Sequence, residues 1–111
     1  MAKSEIDEIV DFLVEFRDER DWDQFHNSKD LALAISVEAG ELLELFLWKN
    51  AEAANRSKIK DELADILAFC FLLAHKEGLD IRNIILEKFE QNALKYPIDK
   101  AKGNAKKYDE L

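Results

Sequence analysis

Val37-Glu38-Ala39-Gly40-Glu41-Leu42-Leu43-Glu44, followed further on by Asp61-Glu62-Leu63-Ala64-Asp65-Ile66-Leu67, decides how this chain folds. In each stretch two acids stand three residues apart, so a helix would carry both carboxylates on one face. Stepping by threes and fours through the first stretch gives Leu31, Ala34, Glu38, Glu41, Leu45 and Trp48. The second gives Lys58, Glu62, Asp65, Phe69 and Leu72. These are the stripes along which helices face their neighbours. A carboxylate buried there without a partner costs several kcal/mol. Something positive should meet these four.

Working outward, Asn27 or Ser28 can cap the helix that carries Glu38 and Glu41, and its apolar residues run on to about Asn50. On that reading Trp48 shares the face of Glu41, about 10 Å along the axis. Residues 51–57 form a polar connector, and Ser57 can cap the next helix, from Lys58 to about Lys76. A connector this short makes antiparallel neighbours. Folded symmetrically about it, the hairpin brings Glu38 and Glu41 level with Asp65 and Glu62. An earlier amphipathic helix spans residues 4–20, capped by Ser4, with Ile6, Ile9, Val10, Leu13 and Phe16 on one face. Gly78 should end the third helix as its C′ residue. A fourth runs from about Asp80 to Leu94, stopped by Pro97. The lysine-rich tail, 98–111, shows little period and is expected to be partly disordered. The reading is all-α, a four-helix bundle-like single domain over 1–111.

Between the first two helices, Asp21-Trp22-Asp23-Gln24-Phe25-His26-Asn27-Ser28-Lys29 has no helical or strand period. Its aromatics either plug the end of the bundle or offer a stacking surface for a planar ring, as positioned loops often do. The six residues 42, 43 and 45–48 make the second helix apolar almost all round, which asks for a subunit interface as well as an internal core.

Composition narrows the partners. With 16 Lys and Arg against 24 Asp and Glu, the chain carries −8 and repels DNA and RNA polymers, whose binding needs many cationic contacts. The apolar run 66–75 is too short for a bilayer, which takes about 20 residues. A lone Cys70 and an N-terminus lacking an apolar signal core point to the cytoplasm.

Three readings of the acids compete. A network of ion pairs is the ordinary one, but the only basic residue on either stripe is Lys58, at an end. A di-iron carboxylate site wants Glu-x-x-His on two helices, and the chain has none. The third is an all-oxygen site for Mg²⁺, or Mn²⁺, carrying a polyphosphate. Lys29 and Lys95 are then candidates for phosphate, and Trp22, Phe25, His26 and Trp48 for a base. Together these parts describe nucleotide polyphosphate hydrolysis.

The spacing Glu38-x-x-Glu41, then 20 intervening positions, then Glu62-x-x-Asp65 resembles the signature of MazG-like nucleotide pyrophosphohydrolases. The blocks Glu19-Arg20-Asp21-Trp22-Asp23-Gln24-Phe25-His26, Glu41-Leu42-Leu43-Glu44-Leu45-Phe46-Leu47-Trp48, Lys95-Tyr96-Pro97 and Lys107-Tyr108-Asp109-Glu110-Leu111 are similar to the dCTP pyrophosphatase branch. The resemblance implies cleavage of a (deoxy)nucleoside triphosphate between its α and β phosphates, in a house-cleaning or pool-balancing role. It implies Glu38, Glu41, Glu62 and Asp65 as Mg²⁺ ligands, with Glu38 and Glu41 as candidates to take the proton of the attacking water. It implies Trp22, His26 and Trp48 around the base, and Lys29, Asn92, Lys95 and Tyr96 near phosphate or sugar. Phe69 stands where that branch carries a tyrosine, which bears on nucleotide selectivity. The family also implies a homodimer or homotetramer that shares active-site residues between subunits. The alternative of another class is a non-catalytic helical interaction module using the 42–48 surface.

Overall fold

A computed structural model describes residues 2–111, and among these every regular element is helical. The order is α1 (Glu5–Glu19), α2 (Ser28–Glu44), α3 (Arg56–Lys76), α4 (Ile81–Lys95) and a one-turn α5 (Ile98–Ala101). Short 3₁₀ turns lie at Asp23–Phe25, Ala51–Ala53 and Tyr108–Glu110. Among the described residues no helix is long and apolar enough to cross a membrane. The chain divides into two compact units, one ending at Leu79 and one spanning Asp80–Leu111.

The helix starts follow local hydrogen-bond chemistry. Ser4 Oγ accepts from the Asp7 amide at 3.1 Å, and Asn27 Oδ1 accepts from Asp30 at 2.8 Å. Asn55, not Ser57, caps α3, accepting from the Lys58 amide at 3.2 Å, so that helix begins two residues early. Asp80 caps α4 through the Asn83 amide at 2.9 Å. Each side-chain oxygen satisfies an amide that has no partner inside its helix. At the other end of α3, Gly78 takes φ +67°. Leu79 N donates to Ala74 O at 2.8 Å and Gly78 N to His75 O at 3.1 Å, the paired bonds of a Schellman stop.

The expected extension of α2 to Asn50 does not form. After Glu44 the chain tightens: the amides of Phe46 and Leu47 reach back three residues, to Leu43 and Glu44, at 3.0 and 3.1 Å. Trp48 then turns the chain at φ +60°, a conformation costing a bulky L residue about 1–2 kcal/mol. Leucine and phenylalanine favour helix well enough to hide this stop from a propensity reading.

In the first unit α2 and α3 form the antiparallel hairpin that the short connector required. The Ser28 hydroxyl, at the start of α2, donates to the Glu77 carboxylate at the end of α3. Helix α1 packs on α3 as well. Leu31, Leu72 and Ala74 are the buried hydrophobics, and Arg17 on α1 is buried with them. The second unit is α4 and the tail. Tyr108 packs edge-on against Tyr96 with 6.3 Å between ring centroids, and Lys95 Nζ lies 4.9 Å from the Tyr108 ring. The stretch 98–111 thus carries α5 and a final 3₁₀ turn.

Candidate active site

Two turns of α2 and one of α3 assemble the acids. Carboxylate oxygens of Glu38, Glu41 and Glu62 lie within 4.8 Å of one another. Glu38 and Glu62 are half-buried, and Glu41 is exposed. One oxygen on each of the half-buried pair, Glu38 Oε2 and Glu62 Oε2, is sealed from solvent with no hydrogen-bond partner. None of the three carboxylates forms a salt bridge with Lys or Arg among the described residues. The neighbouring Glu62 carboxyl is the largest influence on Glu38, followed by burial and then by Glu41. Together they push the Glu38 carboxyl up to about 7. Like charges this close cannot all ionise unless a cation joins them.

The donor set fits a hard divalent cation. It is all oxygen, it is compact, and it holds two orphaned buried oxygens that a cation would satisfy. Asp65 stands outside this triad. It lies one turn along α3 from Glu62, in the wall of a neighbouring cavity.

Two cavities meet this stretch of α3. The first, about 630 Å³, is open and lined by Glu41, Glu44, Leu45, Lys49, Asn55, Lys58, Asp61 and Glu62. It pairs the triad's outer carboxylates with two lysines. The second, about 230 Å³, is narrower, with walls from Leu13, Phe16, Arg17, Trp22, His26, Asp65, Ala68, Phe69 and Leu72. Its aromatics are mutually braced. Phe16 and Trp22 meet edge to face at 6.0 Å between centroids, and His26 and Phe69 at 6.4 Å. His26 Nδ1 is buried and has no partner.

The first unit therefore gathers Glu38, Glu41 and Glu62 into one cluster, with Glu41 and Glu62 at the open cavity, and Trp22, His26, Phe69 and Asp65 at the other. Lys29 is exposed in the first turn of α2, outside the walls of both. The expectation that Trp48 stands over Glu41 along a continuous helix is corrected: α2 ends at Glu44, and Trp48 is 94% exposed. Phe25, also expected near a base, is 63% exposed and outside the aromatic cavity. In the second unit Asn92 and Tyr96 share a shallow cleft with Phe89 and Ala93.

Sequence reasoning passed over Lys49, Asn55 and Arg17. Lys49 falls near the end of the expected second helix and Asn55 in the connector, and in the structure both line the open cavity with Glu41 and Glu62. Arg17 sits among the charged residues of an amphipathic helix, where the pattern predicts exposure. Its neighbourhood to Trp22 was the available signal, since the Trp22 amide donates to Arg17 O at 3.0 Å.

Comparison with known proteins agrees with this geometry. The MazG-like family model matches residues 33–111, the stretch that holds all four acids. Human dCTP pyrophosphatase 1 is 35% identical over 114 aligned positions, covering 96% of this chain and 67% of its own length. The bovine protein of the same name is 37% identical, with 96% and 68% covered. The crystal structure of a pyrophosphatase from Archaeoglobus fulgidus superposes with a TM-score of 0.82 at 33% identity, covering 87% of this chain and 96% of that one. An acidic hairpin on this scaffold, matched in sequence nearly end to end, makes the chain a member of the MazG-like family.

Proposed function

We propose that this protein is a nucleotide pyrophosphohydrolase that cleaves (deoxy)nucleoside triphosphates between the α and β phosphates, releasing the monophosphate and pyrophosphate. The observation that carries the reading is the un-neutralised triad Glu38, Glu41 and Glu62 beside an aromatic cavity. Pyrophosphatase relatives of known name and fold support it.

Glu38, Glu41 and Glu62, with Asp65 one turn on, would hold Mg²⁺ or Mn²⁺. Bound there, the ion would neutralise phosphate oxygens and lower the pKa of a water molecule. The chain's own residues do the rest. Lys49 and Lys58, in the open cavity, offer charge to the phosphates, with Lys29 as a further candidate. Trp22, Phe69 and His26 take the base in the aromatic cavity, where stacking is worth about 1–3 kcal/mol. Glu38 and Glu41, beside the position of the ion, are the candidates to take the proton of the attacking water. Asn92, Lys95 and Tyr96 of the second unit are assigned to phosphate or sugar, and the two units together to one catalytic domain. The preferred base is expected to be cytosine-like or non-standard, and the setting cytoplasmic.

A homodimer or homotetramer completes this reading. Leu33, Val37, Leu43, Leu63 and Leu67 on α2 and α3 are each about half exposed or more, an apolar load unusual for a protein that works alone. Trp48, outside both cavities of its own chain, is then available to a neighbouring copy's base. The same exposed surface favours the second reading, a non-catalytic interaction module. Pyrophosphate release from a panel of dNTPs, with Mg²⁺ and with chelator, separates the two. Release that requires the metal is expected. Orthophosphate in its place, or no product from any nucleotide, would overturn the assignment.

A further inference from the structure

Among the described residues Arg17 is the buried charged side chain, and its position is not that of a simple strut. Its side chain is 10% exposed and forms part of the wall of the aromatic cavity. Nε and Nη2 meet Asp18 Oδ1 at 2.9 and 2.8 Å, and Nη1 meets Asp23 Oδ1 at 3.2 Å. Asp23 is held in turn by Lys76 Nζ at 2.9 Å. A guanidinium has five N–H donors in a fixed plane. Three engagements leave two donors uncommitted in a wall otherwise made mainly of Leu13, Phe16, Trp22, Phe69 and Leu72.

The charge around Arg17 decides what those donors can take. Two aspartates already balance the guanidinium, so a phosphate brought to it would meet two carboxylates within hydrogen-bonding reach of the same group. A neutral acceptor meets no such repulsion. The site also holds a second orphan, the buried Nδ1 of His26, on the same cavity. Flat aromatic walls with donors set in one edge fit a planar heterocycle that carries a carbonyl.

We propose that Arg17 is a specificity-determining residue that hydrogen-bonds a ring carbonyl of the substrate base, selecting pyrimidines, which all carry one at position 2, over adenine, which carries none. The inference rests on the reading of the aromatic cavity as the base site. Arg17 then contributes to binding the base and not to the phosphorus chemistry, so its effect appears in KM more than in kcat.

The experiment measures kcat/KM by pyrophosphate release for dCTP, dTTP, their 2-thio analogues, 4-thio-dTTP and dATP, with wild type and Arg17→Met. Sulfur keeps the shape of the carbonyl and accepts hydrogen bonds poorly. For wild type, sulfur at position 4 should cost little, whereas sulfur at position 2 should cost about 10-fold, the size of one good base contact, and dATP at least as much. In Arg17→Met the oxygen-to-sulfur ratio at that position should fall toward one. A wild-type ratio near one at position 2 would overturn the inference, as would a ratio that Arg17→Met leaves unchanged. The wild-type comparison stands even if the variant does not fold. Loss of pyrophosphate release from every nucleotide would instead remove the base-site reading itself, a different result from release without discrimination.

Discussion

The first unit contains two charged clusters built on opposite rules. On one side, Arg17 and Lys76 meet Asp18 and Asp23 at 2.8 to 3.2 Å, each charge facing its opposite. On the other, Glu38, Glu41 and Glu62 face one another with no cation, and two of their oxygens are orphaned. The balanced cluster ties the loop before α2 to α1 and α3, closing one end of the aromatic cavity. The unbalanced one is tolerated only because its protons, or a bound ion, relieve it. Fold stability accounts for the first. It does not account for the second, which is why the triad is the proposed site.

The comparison breaks most sharply at the triad. Glu41→Gln or Glu62→Gln should lower pyrophosphate release by at least about 100-fold, since even groups one step removed from a metal cost 10–100-fold. The helical circular dichroism should persist, because neither side chain supports the core. Unchanged activity in both variants would refute the metal-site assignment. Trp22→Ala, in the cavity between the clusters, should raise KM for the nucleotide by roughly 5- to 150-fold if one base stacks on it. Its kcat should move less.

The clusters should also respond to pH in opposite directions. Glu38 has its folded pKa raised from 4.5 to about 7, so the metal-free protein binds more protons folded than unfolded across that window. Its contribution is complete below 4.5 and is lost as pH rises through 7. Melting of metal-free protein should therefore show a declining limb between those values, absent in Glu38→Gln. Added Mg²⁺ should stabilise more at pH 7.5 than at pH 5, where the carboxyl keeps its proton. Asp23 behaves in reverse: its hydrogen bond to Lys76 holds its carboxyl below the usual 3.8. That contribution is present at neutral pH and is lost on acidification. Lys76→Met should remove part of this acid limb with a small drop in melting temperature, the least of these effects, because the pair is solvent-exposed.

Much of this was legible in the residues. Two i, i+3 acid pairs on core stripes told of a facing cluster because helical period and a short connector leave few ways to fold a hairpin. Ser4, Asn27, Gly78 and Pro97 marked helix ends through chemistry that acts within a few residues. The end of α2 was not legible. Residues 45–48 carry good helix formers, and the stop depends on a strained turn at Trp48 that no local preference announces. Asp65 was grouped with the other three by helical spacing, hairpin symmetry and the family resemblance; its place in the wall of the adjoining cavity was not legible.

By itself, then, the sequence determined that the chain is helical, that acids from two helices would meet, and that aromatics would stand close by. These follow from period and spacing, which are properties of a single helix or hairpin. The tertiary structure alone decided which three carboxylates cluster, that Lys49 lines the cavity beside Glu41 and Glu62, and that Arg17 is buried in the aromatic wall. Those depend on the rotation of one helix against another and on where a turn stops. Such quantities are fixed by packing across residues far apart in the chain.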